Sequence, residues 1–196
     1  MTADAMWQGL VARWLPEDAP PDDRMRTYYG SKYALAKQLH DAGGLHSILE
    51  IGVRAGYSAY AMLSANPDAY YLGLDADVGG WGGVAGWLDR ARDTLAGFPR
   101  VLLRKANTQH LETLGEEPGT FSLAHVDGDH SYDGCYHDIQ LAAACALNIL
   151  VDDYDAMRAV QAATDHFLVR HGHLWAYQYL GEGNFMGAML LTRRPL

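Results

Sequence analysis

Asp127 and the consecutive pair Asp152-Asp153 are the residues of this chain best placed by type and spacing to do chemistry. Each follows a short apolar run, 121–126 before the first and 146–151 before the second, of the kind that forms a buried strand. Carboxylates at the carboxyl ends of neighbouring parallel strands converge where α/β sheets bind their ligands. Three of them gathered there repel one another unless a cation sits among them. His130, in the same segment as Asp127, has an ordinary pKa near neutrality and so could take a proton from a substrate hydroxyl. The chemistry to expect is metal-assisted activation of an oxygen nucleophile. Plainer readings stand beside it. Asp152-Asp153 could instead form a polar turn ahead of a helix, and His130 could be a loop histidine bonded to backbone. Asp129 and Asp133 are expected to cap the helix beginning near Tyr132, and His125, inside its apolar run, to be structural.

A second group lies upstream, in Glu50-Ile51-Gly52-Val53-Arg54-Ala55-Gly56-Tyr57-Ser58. Gly52 and Gly56 follow an apolar run and precede a helical pattern, so backbone can approach a ligand at a helix N-terminus with no side chain in the way. Arg54 stands where the second glycine of a G-x-G-x-x-G fingerprint would be, which denies a pyrophosphate its close approach. Asp75 closes the next apolar run, where an acid accepts hydrogen bonds from ribose hydroxyls, with Asp77 as a second candidate.

The elements that must position these residues are legible as an alternation. Apolar runs at 47–51, 69–74, 101–103, 121–126 and 146–151 read as strands, and 57–66, 84–95, 108–114 and 132–145 have helical spacing. Such alternation makes right-handed βαβ units. A helix over 155–170 is followed by strand-like runs at 173–180 and 184–192 with only Gly181-Glu182-Gly183 between them. The expected fold is an α/β, Rossmann-like doubly wound sheet, mostly parallel, with a C-terminal antiparallel hairpin. Trp81 and Trp87 are placed to cover an adenine, with core packing the plainer role of Trp87.

At 196 residues the chain suits one well-buried domain. The segment 16–23 is the one linker-like stretch, so 1–24 is read as an N-terminal helix and linker, acting as lid or oligomer contact, ahead of a domain over 25–196. Met6, Trp7, Leu10, Val11 and Trp14 give that helix an apolar face in need of a surface, which points to a homo-oligomer. A net charge of -9 argues against nucleic acid as a partner and leaves a small molecule. With no apolar run long enough to span a bilayer, no secretory pattern at the start, and Cys135 and Cys145 reading as reduced thiols, a cytoplasmic protein without membrane contact is expected.

With these pieces in place, the sequence resembles the class I S-adenosylmethionine-dependent methyltransferases over nearly all of its length after Thr27. Glu50 to Ser58 is similar to their first motif and Asp75 to their ribose acid. Val126-Asp127-Gly128-Asp129-His130-Ser131-Tyr132-Asp133 and Leu150-Val151-Asp152-Asp153-Tyr154-Asp155 resemble more specifically the metal-dependent small-molecule O-methyltransferases, those acting on macrolide sugars more than the catechol type. The resemblance implies magnesium held by Asp127, Asp152 and Asp153, and His130 as general base. It implies S-adenosylmethionine bound by Glu50, Gly52, Gly56, Ser58, Asp75, Asp127 and Tyr28, with Tyr29 and Ser31 beside Tyr28 near the methionine end. The chain has no large extra domain, so the sugar enzymes' acceptor features do not carry over. The expected activity is magnesium-dependent methyl transfer to a hydroxyl of a sugar or natural-product intermediate. A metal-independent N-methyltransferase and a non-catalytic cofactor-binding subunit are the alternatives.

Overall fold

The computed structural model describes residues 1–79, 84–181 and 187–195. Strands β1 (Ser47–Ile51), β2 (Tyr70–Asp75), β3 (Val101–Lys105), β4 (Leu123–Val126), β5 (Asn148–Val151), β6 (Trp175–Tyr179) and β7 (Met189–Arg193) form one sheet in the order β3-β2-β1-β4-β5-β7-β6. β1 through β5 pair in parallel, and β7 is antiparallel to both β5 and β6. The expected reversal at the C-terminal end is therefore present, but it is β7, not β6, that lies against β5. The connection between them falls largely outside the described residues, as does Trp81.

Alternate residues of each strand face opposite sides, and the two sides build two cores. Ile48, Tyr71, Leu123 and Leu150 face α2 (Asp23–Asp41) and α3 (Tyr57–Leu63), with α1 (Ala3–Val11) outside these helices. Leu49, Leu72, Ala124 and Ile149 face α5 (Tyr132–Cys145) and α6 (Arg158–His171). A smaller cluster joins Val53 to Leu88 and Ala91 of α4 (Trp87–Leu95). β1 sits between β2 and β4, so chain leaves it towards both edges of the sheet; that switch point opens the crevice in which such sheets bind ligands.

Three expectations change. The helix over 108–114 is a single 3-10 turn, Thr108–His110, because the backbone is already extended at Leu111. The last helix starts at Arg158 rather than 155. The first ends at Val11, and its apolar face is covered within the chain: Met6 and Leu10 are fully buried, and Trp14 stacks on Tyr57 with ring centroids 4.3 Å apart. The observation that motivated an oligomer contact is thus met without a second subunit. No helix among the described residues is long and apolar enough to cross a membrane.

Candidate active site

The crevice above β1 holds a cavity of about 440 Å3. One end is built from the loop after β1. Gly52 has φ 89°, and a Cβ there would fall on the carbonyl of Asp127, so only glycine lets the ends of β1 and β4 close up. Asp75 holds the loop in shape: its Oδ2 accepts from the backbone N–H groups of Val53 and Arg54, both at 2.8 Å. It also lines the cavity, with Gly52 and Ser58. Arg54, at φ 51°, is anchored on Asp18 at 3.0 Å and stacks over Trp87. Asp77, the second ribose candidate, is not on the cavity wall; it accepts from Gly86 N–H at 2.7 Å and pairs with Lys105 at 3.0 Å.

The other end is acidic. Asp127, Asp129, His130 and Asp153 line it, with Tyr28 and Tyr29 from α2 opposite. His130 Nε2 is 3.3 Å from Asp127 Oδ1 and 3.5 Å from Asp153 Oδ2. The hydrogen bond with Asp127 raises the His130 pKa against the opposing effect of burial. Asp153 has φ 55°, a conformation that costs a non-glycine residue energy and here turns its carboxylate into the cavity. Burial, then the neighbouring Asp127 and Asp152, push its pKa up to about 7. Asp129 bonds to Ser131 N–H at 2.8 Å, and it is Ser131, rather than Asp129 or Asp133, that caps α5 through Gly134 N–H.

Several expected site residues lie beneath this wall instead of on it. Glu50 is fully buried and faces α3, not the ligand space, because its strand position points to that side of the sheet. Its carboxylate accepts from Tyr71 Oη–H and meets His125 Nδ1 at 2.7 Å. His125 Nε2 is 3.2 Å from Asp152 Oδ2, which also accepts from Lys32 Nζ at 2.6 Å and from Tyr28 Oη–H. Burial disfavours the His125 imidazolium, but hydrogen bonds to Asp152 and Glu50 outweigh it and raise the pKa to about 9. Asp152 is held in the opposite direction: burial would raise it, and Lys32 and His125 pull it well below the usual carboxylate range. Ser31 is also off the cavity, its hydroxyl donating to the Tyr28 carbonyl at 2.7 Å. Reading the sequence alone missed Lys32 altogether. Its signal was spacing: Lys32 follows Tyr28 by one helical turn, which places both over the same strand end.

The acidic end fits a divalent cation by its donors. Asp152 Oδ1 and Asp153 Oδ1 are buried with no hydrogen-bond partner, a costly state for carboxylate oxygens. Ligand atoms of Asp127, His130 and Asp153 lie within 4.8 Å of one another, as do those of His125, Asp127 and Asp152.

A family profile described as a methyltransferase domain matches residues 49–154, which is more than half of the chain and contains both ends of the cavity. The chain belongs to this methyltransferase family. No curated protein sequence matches it. Among solved structures, the O-methyltransferase NovP superposes with a TM-score of 0.72 at 14% identity, covering 98% of each chain. A methyltransferase from Podospora anserina, solved with S-adenosylhomocysteine, gives 0.66 at 19% identity, covering 98% of this chain and 88% of its own. TomG from Streptomyces achromogenes, an O-methyltransferase involved in tomaymycin synthesis and solved with S-adenosylmethionine, gives 0.60 at 18%, covering 98% and 89%. At these identities the likeness establishes the shared fold.

Proposed function

We propose that this methyltransferase moves the methyl group of S-adenosylmethionine to a hydroxyl of a small molecule, with a divalent cation assisting at the acidic end. The carrying observation is that one cavity runs from the Gly52 loop and Asp75 to Asp127, His130 and Asp153. S-adenosylmethionine in the TomG structure, its demethylated product in the Podospora one, and the O-methyltransferase names of NovP and TomG support the choice of reactants. The reaction is an in-line displacement: the bond from sulfur to the methyl carbon breaks as the bond from acceptor oxygen forms. Asp75 and the Gly52 loop shape the donor's end of the cavity, while Asp127 and Asp153 orient the acceptor oxygens. A cation bound to those carboxylates lowers the pKa of the acceptor hydroxyl. Its proton passes to His130, which must be neutral to receive it. Tyr28 and Tyr29 cover the acceptor from α2, and a natural-product intermediate bearing a vicinal diol or hydroxy-carbonyl group fits such a site.

The test is turnover on a panel of small diols and amines, read by mass spectrometry before and after exhaustive chelation. Methylated diols, lost on chelation and restored by magnesium, are expected. Chelator-insensitive methylation of amines alone would replace this reading with metal-independent N-methyl transfer.

A further inference from the structure

The two adjacent carboxylates of β5 are treated very differently by the fold. Asp152 is fully enclosed on the α2 side of the sheet and already carries an internal cation: Lys32 Nζ, with a side chain 1% exposed, lies 2.6 Å from its Oδ2. The same oxygen receives Tyr28 Oη–H and faces His125 Nε2. The Lys32 ammonium also rests 3.6 Å from the Tyr28 ring centroid, so it is held from two sides. Asp153 is the reverse case. It lines the cavity, and among the described residues no lysine or arginine lies at ion-pair distance and its buried Oδ1 has no hydrogen-bond partner.

We propose that Lys32 is a positioning residue that takes Asp152 out of the ligand set, so that the cation seat is made by Asp127 and Asp153 alone. This rests on the metal-assisted reading above and narrows it. Like-charged carboxylates need compensation, and one fixed ammonium supplies it for Asp152 permanently, leaving Asp127 and Asp153 with a shared surplus that faces the ligand space. Magnesium is commonly held by one or two carboxylates, keeping its remaining positions for water and substrate oxygens. As a hard cation it prefers these oxygens to the His130 nitrogen, which leaves His130 for the proton. The rival seat uses Asp152 Oδ1, which is likewise unpartnered but lies in a carboxylate locked by three donors and absent from the cavity wall.

The experiment is Mn2+ binding to the full chain, followed by electron paramagnetic resonance and calorimetry. Asp127→Asn and Asp153→Asn should each weaken binding by at least about tenfold, in line with the sensitivity of metal sites to their ligands. Asp152→Asn should change it by less than about threefold. Because a lone change in the buried pair risks misfolding, the double variant Lys32→Met with Asp152→Asn removes both charges together and should also bind Mn2+ as the parent does. Loss of tenfold or more in both Asp152→Asn and the double variant would overturn the two-carboxylate seat, whatever Asp153→Asn does. Absence of Mn2+ binding by the unaltered protein would overturn the metal reading itself, and this assignment with it.

Discussion

His130 touches Asp127 and Asp153 and faces the cavity, which places it to receive the acceptor's proton. Its hydrogen bond with Asp127 raises its pKa, so the protonated, inactive form persists to higher pH than for a free histidine. The rate at limiting substrate should fall as pH drops and His130 becomes protonated. His130→Ala should lower turnover by roughly a hundredfold to ten-thousandfold and flatten that limb, while leaving donor affinity intact. A mild loss with an unchanged pH profile would remove the residue from the chemistry. Gly52 is a residue of a different kind, needed for what it lacks. Gly52→Ala would need φ near 89° and would press a methyl group into the Asp127 carbonyl, which is backbone and cannot swing aside. Donor affinity should drop by at least about tenfold, with a lower melting temperature, as both ends of the cavity are pushed apart. Asp127, His130 and Asp153 were recognisable in the sequence because strand-end carboxylates converge by geometry. The division between Asp152 and Asp153 was not, since it depends on a left-handed backbone at Asp153 and on a lysine remote in sequence.

Among the elements, α1 shows that much of an amphipathic face can be covered within the chain itself. Met6, Trp7 and Leu10 do need a partner, and α2 and α3 of the same chain provide it. Periodicity reports that a face is buried but carries no information on which surface covers it. Leu10→Ala, at a fully buried position, should cost about 2–5 kcal/mol of stability, measurable by urea unfolding. A change below about 0.5 kcal/mol would mean that α1 is not docked as described. Within α5, Asp138 is fully buried, and its Oδ1 accepts from Gln109 Nε2 at 3.0 Å. Burial, only partly opposed by hydrogen bonds from Thr108 and Asp129, raises its pKa from 3.8 to about 6. The folded state thus binds a proton that the unfolded state has released, and this group's contribution to stability falls as pH rises from about 4 to about 6. Asp138→Asn keeps an acceptor for Gln109 and removes the charge, so it should stabilise the protein at neutral pH by up to about 3 kcal/mol. The gain should vanish below about pH 4, where both proteins are uncharged at this position. Equal stability of the two across that range would contradict the assignment.

At the scale of the whole molecule, the strand and helix alternation specified a doubly wound sheet, and the short apolar runs were long enough to place five parallel strands. The position of β7 between β5 and β6 was not legible, because strand order at a sheet edge is set by packing between segments distant in sequence. That arrangement leaves the β1–β4 crevice as the place where the loop glycines meet the carboxylates, and the account stands or falls on what binds there. Calorimetric titration of the purified chain with S-adenosylhomocysteine, S-adenosylmethionine and NAD tests it most directly. One site is expected for each of the two sulfur nucleosides, binding tighter than NAD and weakened at least about tenfold in Gly52→Ala. Tighter binding of NAD, or no binding of either sulfur nucleoside to the folded protein, would contradict it.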